Sequence, residues 1–267
     1  MKKLNQFAKQ HIILFSIAII LIALFILSLS QDGNGVGVSL IVSNLTGRLP
    51  STLFCLAVMT SLGFVHNTLR WEGLLKGFLS GWALLLVGAA YFLLRLFSSD
   101  LSRVFEGLTA TVFIAIIFDM LCTGLFEEVL MRGLILQNMR DAWGSSQSAL
   151  IKSTLISSTL FGLLHLANYM DGLIVATVSQ VIYTTFIGVF LCGVYIKSKY
   201  NLWTVILLHA LFDFLTLFLQ QDFIPMLDNS IGGVVDISIG MGLLTVAVTL
   251  PLCLLGLRYV KQGTSAH

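Results

Sequence analysis

Residues 126–132 read Phe-Glu-Glu-Val-Leu-Met-Arg, which puts two carboxylates and a guanidinium inside a run that otherwise has the composition of a membrane-spanning helix. One ionised side chain at the centre of such a helix costs about 2.5–3.5 kcal/mol on insertion scales, so the three together amount to roughly 8–10 kcal/mol before any pairing. Lipid cannot be their neighbour. The stretch demands further helices that enclose it, and the rest of the chain is suited to supply them. Of its 267 residues 57% are hydrophobic and 10% are charged, whereas a soluble domain is about 25% charged. The net charge of +2 gives no basis for a nucleic-acid partner. Cys55, Cys122, Cys192 and Cys253 stand singly in apolar segments, a pattern of small core residues rather than of a metal knuckle or a disulfide framework.

Eight apolar segments are long enough, or nearly so, to cross a bilayer. They cover about 12–29, 53–65, 73–96, 108–138, 149–170, 173–196, 202–219 and 234–259. The expected fold is therefore all-α: a polytopic membrane helix bundle of about eight transmembrane helices. It forms a single membrane domain over 1–267, with the fourth to seventh helices as a core at about 108–219. The second segment is the shortest, because Arg48 and Pro50 interrupt the apolar run that precedes it. In the third, Gly73, Gly77 and Gly81 recur every four residues and predict a smooth ridge for close internal packing. Polar connections are expected at 31–38 and 98–106, with an acidic loop holding Asp222 and Asp228. With this topology Lys2, Lys3, Lys9, Arg70, Lys76, Arg140, Lys152, Lys197, Lys199, Arg258 and Lys261 share one face, against Arg48, Arg95 and Arg103 on the other. The positive-inside rule then places both termini in the cytoplasm.

The ionisable residues inside the spans fall into three groups. Glu128 and Arg132 are four apart, share a helix face and can pair. Glu127 points about 100° away from Glu128 and is left to look for a partner elsewhere. The fifth span contributes Phe161 and His165. The seventh contributes His209 and Asp213, four apart, where a carboxylate can fix the imidazole tautomer. Asp119 lies within about 80° of Glu127 on its helix. It could line the same cavity, or equally cap or pair near the outer end, and it is left out of the site. Along their helices Glu127, His209 and His165 stand about 17, 12 and 24 Å from the basic face, so they meet only if the fifth helix tilts or starts late.

Two chemistries suit this set. In one, Glu127 is a general base that takes a proton from water and delivers it to a leaving amine, while His165 and His209 hold the water or donate to the oxyanion. In the other, Glu127, His165 and His209 bind Zn²⁺, which acidifies the water.

At these residues the sequence resembles the CPBP family of intramembrane proteases, which groups CAAX proteases with bacteriocin-processing (Abi) enzymes. The family pattern is Glu-Glu-x-x-x-Arg, then Phe-x-x-x-His, then His-x-x-x-Asn or Asp, on successive core helices. Here it is met by Glu127, Glu128 and Arg132, by Phe161 and His165, and by His209 and Asp213. The resemblance implies a membrane endopeptidase with Glu127, His165, His209 and Asp213 as catalytic residues and Glu128 and Arg132 as supports. It implies a peptide or protein substrate at the membrane. Asp213 in place of Asn fits a prokaryotic member. Members of the family have been described both as metalloproteases and as metal-free glutamate proteases; with no compact zinc motif, the metal-free form is the expectation. The resemblance also admits a non-catalytic bacteriocin-immunity or sensor-regulating protein, and the buried acid and histidine groups by themselves would suit a proton-coupled transporter.

Overall fold

The structure is a computed structural model that describes residues 2–31, 36–98, 108–168, 174–218 and 238–263. Among these residues all regular secondary structure is helical. In lipid each segment has to satisfy its own backbone N–H and C=O groups, and a helix does so. In chain order the elements are α1 (Lys2–Gln10), α2 (Ile12–Ser28), α3 (Val36–Ser43), α4 (Leu49–Leu62), α5 (Val65–Thr68), α6 (Leu74–Ser80), α7 (Trp82–Ser98) and α8 (Ala110–Glu128). They continue as α9 (Gln137–Trp143), α10 (Gln147–Leu164), α11 (Ile174–Lys197), α12 (Leu202–Leu217) and α13 (Ile239–Gly263). The expected acidic loop with Asp222 and Asp228, and Arg103, lie outside the described residues.

Among the described residues four helices are long and apolar enough to cross a membrane: Gly37–Leu62, Ala110–Trp143, Ile174–Lys197 and Ile239–Gly263. The number rises to six if the bent pairs α1 with α2 and α6 with α7 each count as one span. Each of the eight expected segments is helical where it is described. A count of eight needs α10 and α12 to cross as well, and length and hydropathy alone do not give that. α10 buries Ser153, Thr154, Ser157 and Ser158, and α12 has only 16 residues. Large apolar side chains lie outward along the other helices, among them Phe25, Leu53, Leu86, Phe97 and Leu243, all at least 60% exposed. Such a band suits a lipid environment.

The second span corrects the expectation. It does not begin after Pro50 but runs through Arg48 and Pro50 as one helix from Gly37 to Leu62. A π-helical turn at Asn44–Arg48 joins α3 to α4, and Pro50 sits in the first turn of α4. The widened turn lies where a proline ring would clash with the carbonyl four residues back. Arg48 tolerates the setting because Asp119 of α8 pairs with it at 2.7 Å.

The glycine ridge is an internal seam, as expected, with one difference. A methyl group on Gly77 would stand 2.5 Å from Ser198 Cβ, and one on Gly81 would stand 2.4 Å from a methyl carbon of Leu208. Gly73, however, caps α6 at φ +80°, and the helix bends by 54° at Gly81. Asn201 ties this region to the core. Its Oδ1 caps α12 by accepting from Thr204 N at 3.0 Å, and its Nδ2 donates to the carbonyls of Arg70 and Glu72. The turn before it holds Lys199 and Tyr200 in left-handed backbone, at φ 57° and 63°. Tyr200 N bonds Tyr195 O there at 2.8 Å, which offsets part of the ~1 kcal/mol or more that such a conformation costs a non-glycine residue. Lys199 also donates to Glu72, and that hydrogen bond, with the charge of Lys199 and then of Arg70, holds the Glu72 carboxyl below its ordinary value. The turn fixes where α12 begins, and therefore where His209 lies.

Candidate functional site

α8 starts at Thr109, whose side chain accepts from Val112 N, and ends at Glu127 and Glu128. From there the helix widens into a π-helical stretch, Val129–Leu136, in which every residue is buried. Wide turns of this kind recur at functional sites. The apolar side chains of the stretch, Leu130, Met131, Leu134 and Ile135 among them, join Phe190, Leu191 and Tyr195 of α11 in the main core. The charges of 126–132 are therefore enclosed by helices, as their cost requires.

One residue missed at the sequence level brings the two charged helices together. A methyl group on Gly124 would stand 2.9 Å from Ile206 O and 3.1 Å from Ala210 N. Only a glycine lets α8 and α12 approach this closely, and the approach comes one turn before Glu127 and next to His209. The available signal was a small residue one turn ahead of the two glutamates.

His209 is the centre of the cluster. Its Nδ1 lies 2.7 Å from Glu128 Oε1, and its Nε2 lies 3.6 Å from Glu127 Oε2 and 3.5 Å from Asp213 Oδ2. Glu128 Oε1 also accepts from Arg132 Nη1 at 2.6 Å. A carboxylate paired with a guanidinium only accepts, so the Nδ1 proton is assigned to His209 and Nε2 faces the other two carboxylates. Arg132 Nη2 donates to Gly188 O at 3.0 Å, and the guanidinium lies over the Phe161 ring at 4.8 Å.

The cluster has two layers. Glu128 and Arg132 are 0% and 1% exposed. The Glu127 side chain is 21% exposed and that of Asp213 is 14% exposed. The sealed layer holds the imidazole in place, and the open layer presents Nε2 between two carboxylates. Glu128 and Arg132 pair as the spacing predicted. Glu128 in addition takes His209, a contact across 81 residues that no local spacing reveals.

His165 takes a different place from the one expected. It is not within the span but caps its end, where α10 gives way to a 3-10 turn. Its Nδ1 lies 3.0 Å from Phe161 O, and a carbonyl accepts, so Nδ1–H is again the donor. Phe161 stands between the two histidines, edge-on to both, with ring centroids 5.0 Å from His165 and 6.0 Å from His209. The depth difference along the helices is resolved in this way: Glu127, Glu128, Arg132, His209 and Asp213 meet directly, and His165 joins them through Phe161. Of the two places open to Asp119, lining the cavity or pairing near the outer end, the structure gives it the second. Its Oδ1 accepts from Arg48 Nη1 at 2.7 Å and from Asn44 Nδ2 at 2.8 Å.

Among the described residues no group of three or more His, Cys, Asp or Glu side chains is placed to hold a metal ion.

A helical membrane bundle whose buried charges converge on one imidazole is the class of protein these features define. Residues 109–215 match the model described as type II CAAX prenyl endopeptidase Rce1-like, in agreement with the motif resemblance. All three motifs fall inside the matched residues. Among curated proteins and among solved structures, none matches the chain.

Proposed function

We propose that this protein is a membrane endopeptidase that hydrolyses a peptide bond in a peptide precursor or a membrane-associated protein, without a metal ion. The observation that carries the reading is His209 held through Nδ1 by the sealed Glu128–Arg132 pair, with Nε2 presented to the accessible Glu127 and Asp213. Glu127 takes a proton from water, and the water oxygen attacks the scissile carbonyl carbon. His209, carrying a proton on each ring nitrogen between the carboxylates, donates through Nε2 to the oxyanion that forms, and Asp213 orients the imidazole from the next turn of α12. Glu127 then returns the proton to the leaving amine nitrogen as the C–N bond breaks. His165, across the Phe161 ring, lines the same path and steadies the water or the carbonyl. The basic end of the bundle, where Lys9, Arg140 and Lys199 lie, faces the cytoplasm by the positive-inside rule, and the chain comes from a prokaryote, as Asp213 in the third motif fits.

The test compares membranes of cells that lack the protein, carry it, or carry Glu127→Gln or His165→Ala. New peptide termini are read by mass spectrometry and protein level by immunoblot. Termini that appear only with the unaltered protein, at equal protein levels, are the expected result. The same termini in all strains that carry the protein would overturn the catalytic reading and leave a binding protein.

A further inference from the structure

A cavity of about 480 Å³ opens at the basic end of the bundle, away from the His209 cluster. Its polar lining comes from Asn5 and Lys9 of α1, Asn67 of α5, Gln137, Arg140 and Asp141 of α9, and Ser145 just beyond α9. Its depth relative to a bilayer follows from two observations. The helix from Ala110 to Trp143 has 34 residues, about 51 Å at 1.5 Å per residue, against a hydrocarbon core of about 30 Å. Its last turns, which are α9, therefore stand at headgroup level. In addition, α1 meets the apolar helix α2 at 108°, so it runs along the surface rather than through it. α1 leaves Leu4 and Phe7 exposed at 39% and 46% beside Lys3 and Lys9, the arrangement of a helix lying in a membrane interface.

The lining selects for one chemistry. Lys9 Nζ pairs with Asp141 Oδ2 at 2.8 Å, and Arg140 is the positive charge left over, the complement of a phosphodiester; the ammonium of Lys9 keeps two further N–H donors. Arg140 is held by one nitrogen and one face: Nη1 donates to Gln137 Oε1 at 2.9 Å, and the guanidinium lies over the Tyr200 ring at 3.9 Å. Gln137 is itself anchored, donating to the Tyr195 hydroxyl at 2.8 Å. Among the described residues Nε and Nη2 of Arg140 make no hydrogen bond, and that edge of a guanidinium is the one that takes two phosphate oxygens together. Asn5 Oδ1 is a buried acceptor with no partner among the described residues, placed to receive a headgroup hydroxyl.

We propose that this cavity binds the phosphodiester headgroup of an anionic glycerophospholipid, with Arg140 and Lys9 on the phosphate oxygens. The site uses none of the residues assigned to peptide hydrolysis and stands or falls independently of that reading.

Purified full-length protein in detergent is titrated with phosphatidylglycerol, phosphatidylcholine or inorganic phosphate. Thermal unfolding and native mass spectrometry of retained lipid are the readouts. Phosphatidylglycerol is expected to raise the unfolding temperature and to be retained, and the other two are not. Arg140→Gln and Lys9→Gln are each expected to weaken phosphatidylglycerol binding by roughly tenfold or more, the scale of a lost charge-assisted hydrogen bond. Lys152→Gln, at the same end but outside the cavity, leaves it unchanged. Lys9 is 40% exposed at its side chain, so its variant reports on binding even if Arg140→Gln does not fold. Equal binding by the Lys9 variant and the unaltered protein, or an equal response to phosphatidylcholine, overturns the site. A response to inorganic phosphate alone overturns the lipid as its source.

Discussion

Two adjacent glutamates have opposite assignments here. Glu128 is sealed, bonded to Arg132 and to His209, and its work is structural. Glu127 is accessible and faces Nε2 at 3.6 Å. The consequences of substitution should separate in the same way. Glu128→Gln removes the counter-charge of a guanidinium that is 1% exposed. Breaking a buried pair from one side costs about 3–5 kcal/mol, so thermal unfolding in detergent should show a large loss of stability and membrane levels should fall. Glu127→Gln should unfold close to the unaltered protein. Equal stability of the two variants would refute the two-layer assignment. The division between the glutamates was legible in the sequence, because spacing by four pairs Glu128 with Arg132 and leaves Glu127 about 100° away. The second bond of Glu128, to His209, was not legible. It depends on how close α8 and α12 come, and residue spacing within one helix carries no information on that distance.

At the level of the elements, that distance is set by Gly124. A larger side chain there would press on the backbone of α12, Ile206 O and Ala210 N, and backbone cannot rotate away. Gly124→Val should therefore push the helices apart and move His209 from Glu127. Peptide cleavage is expected to fall by at least about tenfold, since a displacement of about 1 Å at a reacting centre can cost a hundredfold; Gly124→Ala should have the smaller effect of the two. Unchanged cleavage by the valine variant would remove Gly124 from the positioning of the site. The helices themselves were read well where the apolar runs were unbroken. They were read less well where a polar residue looked like an end. Arg48 and Pro50 suggested a break, but a π turn carries the helix through them and Asp119 neutralises the arginine from another helix. The sequence marked both residues as costly. It could not show that the compensation comes from 71 residues away.

At the scale of the whole molecule, the matched core ends before α13, yet α13 is bound to it along its length. The contact is closest at a pair of facing glycines. A methyl group on Gly256 would stand 2.5 Å from Phe190 Cα and 2.6 Å from Val189 O, and one on Gly193 would stand 2.4 Å from Gly256 O. Small residues that allow backbones to touch are how helices associate where lipid removes the hydrophobic drive. The partner of such a seam is not visible from one helix alone, so α13 was legible as a span but not as a brace. Its role reaches the site. Phe190 and Val189 directly follow Gly188, whose carbonyl accepts from Arg132, so a displaced α11 would disturb the sealed layer that holds His209. Gly256→Val is expected to destabilise the protein by about 1–3 kcal/mol, the usual cost of forcing extra atoms into a packed seam. It should also lower cleavage in the fraction that remains folded. Gly240→Ala on the same helix is the control, because among the described residues the atom nearest to the added methyl group, Ser238 Oγ, would be 3.9 Å away, and it should unfold like the unaltered protein. If Gly256→Val lowers the unfolding temperature but leaves cleavage per folded molecule unchanged, α13 braces the bundle without bearing on the site. If neither quantity moves, the seam itself is refuted.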